Sequence, residues 1–203
     1  MADIEHIVFD IGRVLLHYDP DIPFRRLIPD AERRRWFFDN VCTAEWNLEQ
    51  DRGRSWPEAE AILIETYPEE EDNIRGFRGN WHEMISHHYE GSVDIMVSLI
   101  EQGHDVTMLT NFAADTLVEA RERFDFLNRP RGVTVSAEVG LLKPDAAIYN
   151  HHVKAFDLMP AATLFIDDSQ PNVDGAIAAG WQAVHFKDAE ALKADLERFG
   201  LGL

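Results

Sequence analysis

The chain has 203 residues, 45% hydrophobic and 28% charged, the balance of an ordinary globular protein with room for one large domain or a core plus a small insert. Its 19 basic and 37 acidic side chains give a formal charge of −18, which repels nucleic acid and anionic membrane surfaces and excludes both as partners. A single cysteine, Cys42, excludes an intrachain disulfide; no apolar stretch approaches the roughly 18 to 20 residues of a membrane span, and no charged-then-apolar leader opens the sequence, so a cytoplasmic protein is expected.

In chain order, the run from Glu5 to Phe9 predicts a buried strand that delivers Asp10 at its end and turns at Gly12. In open α/β sheets ligands bind beyond the carboxyl ends of strands, which is where Asp10 falls. Residues 18–90 lack strand-like runs and carry helical periodicity instead. Phe24, Leu27 and Ile28 share one face; Trp36, Phe37, Asn40 and Val41 mark a second helix; Ala59, Ile62, Leu63 and Thr66 a third; Ile74, Phe77, Trp81, Ile85 and His88 a fourth. Pro20, Pro57 and Pro68 punctuate these helices. Residues 18–90 are therefore expected to form a helical insert over the strand ends, with residues 1–17 and 91–203 as the core.

From Ser92 helix and strand alternate: a helix over Ile95–Gln102 closed by Gly103, a strand at Val106–Leu109, a helix from about Ala113 to Phe124, and a strand at Val133–Ser136. A helix over Asp145–Phe156, a strand at Thr163–Ile166, a helix over Asn172–Ala179, a strand at Gln182–Phe186 and a helix over Ala189–Phe199 complete the chain. This alternation predicts an α/β fold, a Rossmann-like parallel sheet with right-handed crossovers.

The strand ends carry the chemistry. Asp10, Thr110-Asn111, the Lys143-Pro144 loop and Asp167-Asp168 are expected to converge on one edge of the sheet. Adjacent aspartates at an apolar strand's end are costly without a hard cation, and with Asp10 they offer the oxygen ligands that suit Mg²⁺. Asp10 is the candidate nucleophile, since covalent attack by a carboxylate splits a difficult step into two easier ones. Lys143 precedes a proline and so is biased towards an extended loop. His82-Glu83 and His87-His88 resemble a zinc helix, but Ser86 occupies the position where the second histidine is required.

The order Asp10, Thr110, Lys143-Pro144, Asp167-Asp168 resembles the four motifs of the haloacid dehalogenase (HAD) superfamily. Within it, FDIGRVL, EWNLEQDRG, LTN, GLLKPD and FIDDS are similar to the branch that holds small sugar-phosphate phosphatases and 2-haloacid dehalogenases. The resemblance spans residues 5 to about 172 and implies a HAD core with a helical cap that closes over the substrate. It also implies roles: Lys143 balances charge on Asp10 and the transferring phosphoryl group, Thr110 and Asn111 bind phosphate oxygens, and the Gly12 carbonyl joins Asp10, Asp167 and Asp168 around Mg²⁺.

The sequence departs from that pattern at Gly12, where many family phosphatases carry an aspartate that serves as general acid and base. His17, Asp19, Glu45, Glu49, Asp51 and Arg52 are candidate substitutes, and spacing does not choose among them. The same gap keeps a metal-independent 2-haloacid dehalogenase in view, because expelling halide needs no acid; Asp167-Asp168, however, has the metal-binding form of the fourth motif. The resemblance implies a Mg²⁺-dependent phosphomonoesterase acting on a small phosphorylated metabolite, sugar phosphate favoured. A catalytically weak phosphometabolite-binding protein is the alternative of another class, and monomer or homodimer is left open.

Overall fold

A computed structural model describes residues 3–202, so the ends of the expected core range at 1–2 and 203 lie outside the described residues. Five parallel strands, β1 (His6–Phe9), β2 (Asp105–Thr110), β3 (Val133–Val135), β4 (Thr163–Asp167) and β5 (Gln182–His185), line up in the order β3-β2-β1-β4-β5. The first strand of the chain is thus the middle of the sheet. Its side chains alternate between faces: Ile7 and Phe9 enter one apolar cluster, Val8 the other. Burial on both faces is what a parallel sheet requires, and it explains strands made of continuous apolar runs.

Helices follow the strands onto both faces. α7 (Glu90–Glu101) leads into β2, α8 (Ala114–Arg123) follows it, and the short α9 (Ser136–Val139) continues β3. α10 (Ala146–Phe156) and α11 (Gln170–Ala178) flank β4, and α12 (Ala189–Arg198) ends the chain. α7 and α12 cover the Ile7 face through Met96, Leu99, Leu192 and Leu196. α10 and α11 cover the Val8 face through Ile148, Tyr149 and Ala176.

Between β1 and α7 lie α1 (Asp21–Leu27), α2 (Ala31–Asn40), α3 (Ala44–Asp51), α4 (Trp56–Thr66), α5 (Glu71–Gly79) and α6 (Trp81–Met84). Asp30, Thr43 and Ser55 cap α2, α3 and α4 by accepting from amides three residues on, satisfying N–H groups that a helix start leaves unpaired. Rings hold these helices together: Phe24 stacks on Phe37 at 5.2 Å and Trp46 meets Phe77 edge-on at 5.3 Å. Burying each such phenylalanine contributes about 1.5 to 3 kcal/mol. Cys42 packs here with 3% of its surface exposed.

Two expectations are corrected. The fourth expected helix, running to His88, is broken: α5 ends at Gly79, α6 at Met84, and His88 instead bridges Leu16 in antiparallel fashion. Gly76 and Gly79 weaken the helix, and the backbone bonds of the returning chain replace those it loses. Helix α3, carrying residues 44–51, has no counterpart among the expected elements. Around the bridge, His17 N–H donates to His87 O and Tyr89 N–H to Leu15 O, both at 2.9 Å. The outgoing and returning segments therefore form one narrow ribbon. No helix among the described residues is long and apolar enough to cross a membrane.

Candidate active site

Strand register brings the first groups together. Phe9 lies between Met108 of β2 and Ile166 of β4, so Asp10 and Asp167 leave the sheet side by side, and Asp10 N–H donates to Ile166 O at 2.9 Å. Thr110 ends β2 on the other side. This is the carboxyl edge where α/β sheets place their ligands.

Lys143 joins the strand ends. Its ammonium donates to Asp167 Oδ2 at 2.6 Å and Leu109 O at 3.1 Å and forms an ion pair with Asp10 Oδ1 at 2.8 Å. Burial opposes its charge, yet Asp10 and Asp167 together hold it above the usual lysine range. The loop that carries it is fixed by Asn111, whose Oδ1 accepts from Lys143 N–H at 2.9 Å and whose Nδ2 donates to Lys143 O at 3.1 Å. Asn111 therefore positions the lysine; a phosphate contact is left to its second amide proton.

Asp10, Asp167 and Asp168 each present an oxygen within 4.8 Å of the others. Asp167 is fully buried, and Asn172 and the Ser169 N–H also hydrogen-bond to it. Asp168 is only partly buried, and desolvation and Asp167 raise its pKa. Burial pushes Asp10 up to about 7, with Lys143 opposing and Asp167 adding to the shift. Such carboxylates attract a cation, and an all-oxygen donor set suits Mg²⁺. The Thr110 hydroxyl is buried and has no hydrogen-bond partner, which leaves it free to meet a ligand oxygen.

A cavity of about 220 Å³ opens above this cluster, with Gly12, Asn111, Asp168 and Ser169 on its floor. Its walls carry Trp56, Trp81, Ile85 and Phe112, and Arg13 and Asp51 also line it. Of the tryptophans between β1 and α7, Trp56 and Trp81 thus reach the cavity, Trp46 packs in the core and Trp36 is 40% exposed. Burial pushes Asp51 up to about 7, the Ala113 amide pulling against it, Asp10 adding and Lys143 subtracting.

Sequence reasoning missed Asn172, Ser136 and Arg13. Asn172 had a signal: it falls in the first turn of the helix after β4, where a side chain can reach back to the strand end. Ser136, at the start of α9, accepts from Phe112 N–H at 2.9 Å, a contact no local pattern announces. Arg13 follows Gly12 and sits at φ 58°, a region side chains seldom adopt, while its N–H donates to Leu16 O at 2.7 Å.

Comparison with known proteins bears on this geometry. A family model described as haloacid dehalogenase-like hydrolase matches residues 45–186. A sesquiterpene phosphatase of Aspergillus oryzae, astK, is 35% identical over 97 residues, a match covering 48% of this chain and 50% of that protein, so the chain spans about half the length of this curated relative. Among solved structures, a predicted HAD-like hydrolase from Porphyromonas gingivalis superposes with a TM-score of 0.76 at 20% identity over 100% of both chains. A HAD family enzyme of Bacteroides thetaiotaomicron, in complex with magnesium and inorganic phosphate, gives 0.72 at 19% identity over 91% of this chain and 95% of its own. The L-2-haloacid dehalogenase of Xanthobacter autotrophicus with chloropropionic acid covalently bound gives 0.67 at 17% identity over 98% and 85%. At such identities the structural likenesses speak for the fold, whereas the family model covers most of the sequence: this protein belongs to the haloacid dehalogenase-like hydrolases and is an enzyme.

Proposed function

We propose that the protein is a Mg²⁺-dependent phosphomonoesterase acting on a small phosphate ester through an aspartyl-phosphate. The observation that carries this reading is Lys143 shared between Asp10 and Asp167, with Asp168 completing a cluster of carboxylates within 4.8 Å. Asp10, Asp168 and Asp167, with the Gly12 carbonyl, are the groups that would hold the ion. When bound, Mg²⁺ supplies positive charge that offsets repulsion between a carboxylate and a phosphate dianion.

The chain's own residues do the rest. Asp10 attacks phosphorus and the ester oxygen departs; water then cleaves the acyl phosphate and restores the carboxylate. Lys143 neutralises Asp10 before attack and the phosphoryl oxygens during it, with no reorganisation because Asn111 and Asp167 already hold it in place. The Thr110 hydroxyl donates to a phosphoryl oxygen. The inserted helices act as a cap whose aromatic residues exclude bulk water from the cavity.

For the alcohol half of the ester, sugar phosphates follow from the motif resemblance. A second class, hydrocarbon-bodied monophosphates, is favoured by walls made of Trp56, Trp81, Ile85 and Phe112 and by the sesquiterpene phosphatase among the relatives. The test is phosphate release from a panel holding both classes, with Mg²⁺ and with EDTA, alongside halide release from 2-chloropropionate. Phosphate release that EDTA abolishes is expected. Halide release that survives EDTA would replace the phosphatase with a dehalogenase, and ligand binding without turnover would favour the binding-protein alternative.

A further inference from the structure

An ester oxygen leaving phosphorus needs a proton, and the position two residues after Asp10 offers none. Position 12 is a glycine at which a Cβ would meet nothing within 4 Å, so the side chain is missing where there is room for one. Proton transfer by a positioned group is worth about 10²- to 10⁴-fold, which another residue must supply if alkyl esters are to turn over.

The structure sorts the candidates. His17 Nδ1 is hydrogen-bonded to the Tyr89 hydroxyl at 2.9 Å, and its ring stacks on His87 in the ribbon. Asp19 accepts from Asp21 N–H at 2.9 Å at the start of α1. Glu49 and Arg52 pair with each other at 3.4 Å on the surface, and Glu45 is exposed at the start of α3. Asp51 alone of the six lines the cavity whose floor carries Gly12, Asn111 and Asp168.

Asp51 is also anchored to the core, although it belongs to an inserted helix. Its carbonyl accepts from Ser136 Oγ at 2.5 Å, and that same oxygen accepts from Phe112 N–H at 2.9 Å. Two residues on, Gly53 sits at φ 110°, where a Cβ would lie 2.9 Å from Ala137 O. Only glycine permits this approach, so the end of α3 is locked onto α9. The Asp51 carboxyl accepts from the Ala113 amide and is acted on by the charges of Asp10 and Lys143, and Asp51 shares the cavity with Arg13, Tyr18 and Asp168.

We propose that Asp51 is the proton donor and acceptor that position 12 lacks. The assignment rests on the phosphomonoesterase reading. As the Asp10 oxygen bonds to phosphorus, the bond from phosphorus to the ester oxygen breaks, and the Asp51 carboxyl proton passes to that oxygen to give the neutral alcohol. In the second step the Asp51 carboxylate takes a proton from water as the water oxygen bonds to phosphorus. The Asp10–phosphorus bond breaks, phosphate leaves, and both aspartates return to their starting states. The raised pKa of Asp51 agrees with a group that holds a proton near neutral pH.

The test compares an alkyl phosphate, whose alcohol leaves poorly, with 2,4-dinitrophenyl phosphate, whose phenolate needs no proton. Asp51→Asn is expected to lower alkyl turnover by about 10²- to 10⁴-fold. On the aryl ester it should release a burst of dinitrophenolate stoichiometric with enzyme, then stall as aspartyl-phosphate accumulates. Asp51→Ser is the second variant: formate in the buffer should raise its alkyl turnover and leave the wild type unchanged. Glu49→Gln, off the cavity, should keep both wild-type rates. Equal loss on both esters with neither burst nor formate rescue, or no loss at all, overturns the assignment while an active wild type upholds the phosphatase. A wild type that releases phosphate from no ester overturns both.

Discussion

Removing the ammonium that Asp10 and Asp167 share tests whether the cluster is electrostatic in the way the geometry implies. Lys143→Met keeps the length and apolar stem of a side chain that is 1% exposed and deletes only its charge. Breaking a buried ion pair costs about 3 to 5 kcal/mol, because the abandoned charges cannot reach water. Lys143 opposes the burial shift on Asp10, so without it Asp10 takes up a proton more readily, and the loss is expected to be smaller at mildly acid than at alkaline pH. For a domain of this size each kcal/mol moves the midpoint by about 2 to 4 °C, which gives an expected loss of about 6 to 20 °C in EDTA. Mg²⁺ should recover part of that loss, since it binds the folded carboxylates and restores positive charge. The assay is thermal unfolding with and without Mg²⁺, backed by urea titration. A loss below about 1 kcal/mol, the range of an exposed pair, or a loss that Mg²⁺ leaves untouched, would refute the reasoning.

Asp10→Asn is expected to abolish turnover while circular dichroism stays native; retained hydrolysis would end the nucleophile assignment. Gly175→Ala places a Cβ 2.7 Å from Pro144 O and 3.1 Å from the Tyr149 ring, so a loss of about 1 to 3 kcal/mol is expected. Turnover should fall with it, because the loop that must yield carries Lys143, and an unchanged rate would show that loop to be less constrained. Burial raises Asp10 and Asp51 to about 7, so their ionisation favours the unfolded chain: stability is lost as pH rises through 7 and regained as it falls. His152, pushed down to about 3 by burial, acts in the opposite sense below about 6.5. Between pH 8 and 6.5 the melting temperature in EDTA should therefore rise on acidification, and a fall there would contradict the assigned burial.

The core was legible because its signal is local and repeated. An apolar run ending in Asp10, Thr110 or Asp167 names both a strand and the edge where it ends, whereas Asp10 stands beside Asp167 because β1 pairs with β4 in this register. Helix α3 escaped because its buried residues, Trp46 and Gln50, are few and one of them is polar; tertiary contacts, not an apolar stripe, hold it. The break before His88 escaped for a related reason, since the bridge to Leu16 joins segments far apart in sequence. Asp51 could be named as a candidate but not selected, because what distinguishes it from Glu49 and Arg52 is that it lines the cavity while they pair on the surface.

The narrow ribbon joining Leu15–His17 to His87–Tyr89 makes the insertion point a socket. The chain leaves the sheet and returns to it at one place, so β1 and β2 can pair whatever the length of the excursion. Each doubling of such a loop costs only about 0.6 kcal/mol in closure entropy. The whole excursion, with the cavity walls it carries, can therefore change in length or sequence at little expense to the strand ends. Asp51 is the exception to that freedom: tied through Ser136 and Gly53 to α9, it makes one short helix of the excursion answerable to the sheet-bearing part of the chain.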